Sequence, residues 1–381
     1  MILHICEDNR FVAMAKKQFE ICKENQHLFL VNSSSKGLKY ITKDNSIIVE
    51  KAGTKKHSEV VNQYLYDAII FHNCNQKYKW NIINNLPKNI LIIWFSWGSD
   101  IYMLPQFKNK LYTEKTTQIL KKNNLTYNNY SLDYFSRLLL GKYKKQLSAY
   151  KRINYCAPVM SKDLNLLEQH YNIKIKELDF TYGDINLYIG ESIDKNSEGN
   201  NILVGNSADF SNNHIDILNT LKNKNIGNSK IIVPLSYGGH KKYINHIVSQ
   251  GKLMFRDKFT PLLEVLLLIE YREILYSCKI AIFNHKRQQA LGNIIMLLWM
   301  GVKLFLDEEN PIYSFLKDNN IIVYKISQIE TFSEEEFLIK LTDNEVNNNR
   351  MQLSKIYSHE RVIDKSKEIV KLIALMKTQA C

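Results

Sequence analysis

Apolar residues in this chain come in short runs, each closed by a polar cluster and followed by apolar residues at helical spacing. Residues 2–6 form one such run, ending in Glu7-Asp8-Asn9, and Phe11, Met14, Phe19 and Cys22 then recur along one helix face. Runs at 28–31, 47–49 and 68–71 predict further strands, the last ending in His72-Asn73 ahead of an Asn-rich helix. The run 90–95 leads into Ser96-Trp97-Gly98-Ser99-Asp100, residues 131–150 predict a long helix, and runs at 153–157 and 178–181 close the series. The stretch 190–200, GESIDKNSEGN, is the best linker candidate.

The pattern then restarts. A strand at 202–204 meets the tight turn Gly205-Asn206-Ser207, and a helix over 211–221 follows, capped by Ser211. A strand at 231–233, a loop at 234–240, a helix over 241–249, a strand near 253–255 and helical stretches over 262–276 come next. The strand 280–283 stops at His285, Lys286, Arg287, Gln288 and Gln289, before a helix carrying Ile294, Ile295, Leu297, Leu298 and Met300 and a strand at 302–306. Asn310 with Pro311 after it starts another helix, 321–324 is a last strand, and a helical tail covers 356–377. Apolar runs without strict alternation, separated by helices, predict parallel sheets covered on both faces. The expected fold is α/β, with two doubly wound Rossmann-like domains facing each other across a cleft and ligand loops at the carboxyl ends of the strands. The expected division is 1–190 and 191–355, with a tail at 356–381 packing back on the first domain.

Length and charge sharpen this. A chain of 381 residues is too long for one ordinary core. No apolar run approaches the roughly 20 residues that span a bilayer; the longest, 262–269, carries Glu264. The start, MILHICEDNR, lacks the basic region and apolar core of a secretory signal, so a cytoplasmic location is expected. Six cysteines without a CxxC pair read as buried free thiols, and neither a zinc site nor a disulfide framework is expected. Residues 1–190 hold 27 Lys and Arg against 16 Asp and Glu, a net +11 of the chain's +13. An acidic partner on the first half is one explanation, and Lys/Asn drift in an AT-rich genome is the other.

Three strand-end loops of the second half are polar together. Asn206 and Ser207 precede a helix and offer amides and a hydroxyl for phosphate, or a simple cap. Tyr237, before Gly238-Gly239, offers a face for a nucleobase, or belongs to an ordinary turn. Arg287, Gln288 and Gln289 stand before a helix start whose first turn holds Gly292 and Asn293. Unpaired N–H groups and the helix dipole favour an anion there, and a glycine admits close approach of a ligand.

The series GNSADFSNNHI (205–215), VPLSYGG (233–239), FNHKRQQALGNI (283–294) and EENPIYSFL (308–316), with WFSWGSDIY (94–102), resembles the enterobacterial 4-acetamido-4,6-dideoxygalactose transferases of glycosyltransferase family 56. The resemblance covers roughly residues 90–325. It implies a GT-B fold, a nucleotide-sugar donor held mainly by the second domain and an acceptor bound by the first. Arg287 would then neutralise the departing nucleotide, which makes a metal ion unnecessary; no cofactor is expected. Glu309, beside Glu308, would accept hydrogen bonds from a ribose or sugar hydroxyl, or complement the dipole of the next helix.

In the first half Asp100 and His72 are the candidates for catalysis, with Glu7 and Asp8 after them; capping and core roles compete for both. Leucines and aromatics beside lysines over 131–152 suit an interfacial helix on an anionic membrane, as a polyprenyl-diphosphate-linked acceptor would require at the inner face of the cytoplasmic membrane. A core-packed helix is the plainer reading. Rival functions are a polyol-phosphate transferase of teichoic-acid type, whose paired His motifs are not evident, and a non-catalytic nucleotide-sugar-binding protein. No nucleic-acid-binding motif accompanies the charge, and no nucleic-acid partner is expected.

Overall fold

The computed structural model describes residues 1–22, 25–35, 37–63, 66–108, 110–125, 142–190 and 195–380. The chain forms two compact units: Met1–Pro105 with Ser131–Asp184 and Tyr357–Cys381, and Gln106–Tyr130 with Ile185–Ile356. No described helix is long and apolar enough to cross a membrane.

Among the described residues, the first unit carries a seven-stranded sheet built from β1 (Ile2–Glu7), β2 (His27–Asn32), β3 (Ile47–Val49), β4 (Ala68–His72), β5 (Leu91–Phe95), β6 (Tyr155–Ala157) and β7 (Lys176–Glu177). Its order is β3-β2-β1-β4-β5-β6-β7, and the pairings are parallel. The apolar runs are buried on both faces, as covered parallel strands require. Helix Arg10–Glu20 follows β1 because the Asn9 side chain accepts from the Phe11 N–H and caps it; Val12, Ala15 and Phe19 turn to the sheet. The last helix, His359–Ala380, adds Ile369, Val370 and Ile373 to the core formed by Ile2, Phe19, Ile93 and Phe95.

The second unit repeats the plan with β8 (Asn201–Val204), β9 (Ile231–Pro234), β10 (Phe259–Leu262), β11 (Cys278–Phe283), β12 (Lys303–Leu306) and β13 (Tyr324–Lys325) in the order β10-β9-β8-β11-β12-β13. In both sheets the strand order reverses beside the first strand, which puts switch points at β1/β4 and β8/β11. Ile202, Val204, Ile231, Val233, Ile280 and Ile282 pack with Ile217, Leu218 and Leu221 of helix His214–Lys222.

Several elements differ from the sequence reading, each for a local reason. Residues 106–130 fall in the second unit, where Ile119 and Leu120 join the core and Thr113 donates its N–H to Asn213 Oδ1 (3.0 Å). The apolar triplet 253–255 is the last turn of helix Lys241–Phe255, in register with its buried Tyr243, Ile247 and Gly251. The neighbouring strand is β10, which contains Pro261; its place at the sheet edge tolerates the missing N–H. A helix therefore begins only at Leu268, not at 262. Ser211 caps no α-helix: it lies in a single 3-10 turn, Phe210–Asn212, started by Asp209. Most of the helix expected over 131–150 lies outside the described residues, which resume with helix Lys142–Tyr150.

Ile373 is 1% exposed. Ile373→Ala is expected to cost about 2–4 kcal/mol through lost burial and the cavity left behind, seen as a lower urea midpoint.

Candidate functional site

The second unit's polar loops meet where β8 and β11 part. Gly205 leaves β8 at φ +70° and donates its N–H to the Ile282 carbonyl (3.0 Å). A Cβ there would stand 2.6 Å from Asn212 Oδ1, so the position admits glycine on both counts. Asn212 is the hub of the turn. Its Oδ1 accepts from the Asn206 N–H (2.9 Å), and its Nδ2 donates to the Asp209 carbonyl (3.0 Å). Because Oδ1 accepts, His285 Nε2, 2.7 Å away, carries the ring proton and donates it. Burial, helped by Arg287 nearby, holds His285 well below the usual histidine range, so the ring is neutral.

Asn206 Nδ2 donates to the Tyr237 hydroxyl (3.1 Å), while Gln289 Nε2 donates to Asn206 Oδ1 (3.0 Å). The Ser211 hydroxyl stands 2.6 Å from both Gln289 Oε1 and Asp209 Oδ1. Loops from β8, β9 and β11 are thus laced together mainly by uncharged groups, and Tyr237 is left 55% exposed on the rim. Two polar atoms in this lacework, His285 Nδ1 and Gln288 Oε1, are buried and make no hydrogen bond among the described residues. Buried orphan acceptors are rare in folded proteins and mark places where a donor is missing.

The helix Leu291–Trp299 begins here. Its N-cap, Ala290, sits in the left-handed region at φ 59° and offers no capping side chain. A left-handed alanine costs about 1 kcal/mol, and such strain gathers at ligand sites. Arg287, half-buried, donates Nη1 to the Gln288 carbonyl (3.1 Å) beside this helix start. A cation, an uncapped dipole and neutral amides suit a diphosphate.

The remaining sequence candidates are engaged with neighbours in the fold. A Cβ on Gly292 would meet the Tyr188 ring at 3.0 Å, so this glycine makes room for that side chain. Asn293 Nδ2 donates to the Tyr271 hydroxyl (3.0 Å). Glu309 is a surface partner of Lys286 (2.8 Å) and Glu308 of Lys325 (3.0 Å), while Asn310 caps the helix Pro311–Asp318. Ser207 accepts long bonds from the Asp209 N–H and Asn212 Nδ2, both at 3.3 Å, and so holds the turn.

In the first unit Asp100 is 1% exposed. It accepts from Trp94 Nε1 (2.7 Å), the Cys74 N–H (3.0 Å) and the Trp97 N–H (3.1 Å), which ties the exits of β4 and β5 together. Burial pushes its carboxyl up and these donors pull it down, with burial the larger. His72 is sealed too: Nε2 meets His4 Nδ1 at 3.0 Å and Nδ1 meets the Tyr182 hydroxyl at 2.9 Å. Burial pushes it down to about 3, which leaves a neutral ring with both nitrogens engaged. Neither group presents an open lone pair to a substrate, and both position their neighbours. Asp8 clamps the N–H groups of Tyr40 and Ile41 (3.1 and 3.0 Å). Glu7, half-open at the end of β1, is held by the Tyr78 hydroxyl (2.6 Å) and the buried Lys79 ammonium (2.8 Å). The lysine-flanked apolar stretch over 131–152 lies mostly outside the described residues.

The sequence does not single out Asn212, and it assigns neither Ser211 nor His285 to the site. The signal for Asn212 is the polar run 211–214 after a strand, which reads equally well as a helix start. Among the described residues, no group of three or more His, Cys, Asp or Glu is placed to hold a metal ion.

The family described as 4-alpha-L-fucosyltransferase, glycosyl transferase group 56, has a model that matches residues 143–359, more than half of the chain. Similar solved structures include Anabaena Alr3699/HepE in complex with UDP and glucose, at 10% identity over 98% of this chain and 99% of that one, TM-score 0.60. Sucrose-phosphate synthase from Thermosynechococcus elongatus is 8% identical over 98% and 99%, TM-score 0.64. WaaG, a glycosyltransferase involved in lipopolysaccharide biosynthesis, is 12% identical over 100% and 98%, TM-score 0.51. The likeness is one of fold: two parallel-sheet Rossmann-like domains, the GT-B architecture.

Two outcomes follow from this geometry. Asp100→Ala strands an indole and two backbone donors in the interior; it is expected to cost about 3 kcal/mol or more, read as a fall in the urea midpoint followed by tryptophan fluorescence. Folding depresses His72 and His214 to about 3 and His27 to about 4. Above pH 6.5 neither state binds these protons. Below it the unfolded chain takes them up first, so stability falls by about 1.4 kcal/mol per pH unit for each such histidine until the folded values are reached. Melting temperature should therefore drop steeply from pH 6.5 towards 4, with a shallower slope in His72→Asn.

Proposed function

The chain belongs to glycosyltransferase group 56, and from that premise we propose that this glycosyltransferase moves an amino-deoxy sugar of the 4-acetamido-4,6-dideoxygalactose kind. The donor is a nucleotide diphosphate sugar, dTDP-linked, and the acceptor is a saccharide on a polyprenyl diphosphate. The work is done by a peripheral enzyme at the inner face of the cytoplasmic membrane, in bacterial surface polysaccharide synthesis.

One observation carries the donor side of this reading. Neutral amides, the uncapped helix at Leu291 and the Arg287 guanidinium converge at the β8/β11 switch point. A nucleoside diphosphate leaving with the bonding electrons gains negative charge in the transition state, and fixed positive charge stabilises it more than the ground state. Arg287 and the helix start provide that charge. Tyr237 offers its exposed ring to the base, and its hydroxyl is held still by Asn206. Gln288 Oε1 is an acceptor in want of a donor, which a sugar or ribose hydroxyl would supply. The lacework carries no carboxylate except Asp209, which is turned onto the Ser211 hydroxyl and N–H. A metal is not needed on this account, and the acceptor falls to the first unit, where Glu7 is a half-open carboxylate at a strand end.

The test is transfer from a panel of nucleotide sugars to a polyprenyl-diphosphate saccharide. We expect product with the dTDP-linked amino-deoxy sugar, retained in EDTA. Arg287→Ala should lower kcat/KM by about 10²–10³-fold with a smaller loss of nucleotide affinity. Tight nucleotide binding with no transfer to any acceptor would leave a sensor and overturn the proposal.

A further inference from the structure

The second unit carries an apolar surface that its own fold does not use. After β10 the chain reads Leu263-Glu264-Val265-Leu266-Leu267-Leu268-Ile269-Glu270. Leu263 is 53% exposed, Val265 78%, Leu267 69% and Ile269 66%. Single exposed leucines are ordinary on protein surfaces; a run of this density is not.

Its place in the fold is informative. β9 and β10 pair in parallel, and the Leu235 N–H donates to the Leu262 carbonyl (2.8 Å), so the two strand exits leave side by side. The apolar loop therefore runs next to the loop that holds Tyr237, which continues into the exposed Lys241 and Lys242. The helix Leu268–Tyr276 then carries Tyr271 to Asn293, in the first turn of the helix beyond Arg287. Aliphatic side chains, two lysines and the proposed donor site share the carboxyl rim of one sheet.

The chemistry favours one occupant. A second copy adding a strand to β10 would meet Pro261, which has no N–H to offer at that edge. A protein partner is usually gripped by aromatic and Arg anchors, and the exposed side chains of 263–269 are aliphatic apart from Glu264. A bilayer accepts projecting Leu, Val and Ile without shape complementarity, and anionic head groups attract the adjacent lysines. Glu264 opposes that attraction. Glu270 is turned back, accepting from the Leu267 N–H (2.8 Å).

We propose that residues 263–269 form a loop that inserts into an anionic lipid bilayer and seats the donor-binding unit on it. The inference deepens the preceding reading and rests on it, since an acceptor anchored in lipid gives this rim its purpose.

The test is co-sedimentation of the full chain with vesicles of phosphatidylglycerol and phosphatidylethanolamine. The variant Leu263→Ser/Val265→Ser/Leu267→Ser/Ile269→Ser should bind about 10-fold more weakly or worse, through the apolar area it no longer inserts, and keep its circular dichroism. Its transfer to a water-soluble acceptor analogue should be unchanged. In Val265→Trp, added bilayer should shift the emission to the blue and brominated lipid should quench the new indole. Salt should weaken binding only in part, because insertion is mainly apolar. Equal sedimentation of the serine variant and the parent, or an indole in Val265→Trp that brominated lipid leaves unquenched, would overturn the proposal. So would a parent chain that self-associates in centrifugation while the variant does not, which would make the loop a protein interface. Vesicle binding without any sugar transfer would sink the functional reading and leave the loop standing.

Discussion

Both sheets are covered on both faces, and this constraint shapes everything else in the molecule. Strands such as Ile2–Glu7 and Cys278–Phe283 bury nearly every side chain, so polar chemistry has room only where strands end. At those exits the backbone turns sharply and its N–H groups need partners. Each unit answers with one short buried polar side chain. Asp100 gathers an indole and two backbone donors in the first unit, and Asn212 gathers a backbone N–H and an imidazole in the second. The difference in charge matters. A carboxylate at the second position would repel a diphosphate, whereas the neutral amide organises the loops and leaves the field to Arg287.

Burial also decides where positive charge is found. His4, His72, His214 and His285 are fully buried and held neutral, so they act as oriented hydrogen-bonding groups and not as cations. Part of the first half's lysine excess is structural as well: Lys79 is sealed against Glu7, and Lys16 is paired with Glu20 and Asp44. In the second unit, Arg287 and the helix start set the field ahead of helix Leu291–Trp299. A strained Ala290 and two orphan acceptors lie beside them, and features of this kind gather at ligand sites.

Strand and helix positions were largely legible from the chain, because burial on both faces leaves apolar runs and packing on one face leaves a 3.6-residue period. The pattern misleads where it fits two structures. Residues 253–255 look like a strand but finish a helix, and β10 hides behind Pro261. For the site, the elbow at Arg287-Gln288-Gln289 was visible as a cationic cluster before a helix. Asn212 was not, since an asparagine in a polar run does not announce that its amide reaches the turn at Asn206 and the ring of His285.

The amino-acid sequence by itself determined the β/α order, the two units' parallel sheets and the family, since these depend on local periodicity and on residues close in the chain. Only the tertiary structure decided which polar side chains gather at the β8/β11 exit and which are sealed in the frame. Gly292 turned out to make room for Tyr188, and Asp100 and His72 proved to be sealed. The reason is physical: burial and partner choice depend on neighbours that folding brings together from far along the chain, and no local spacing encodes them.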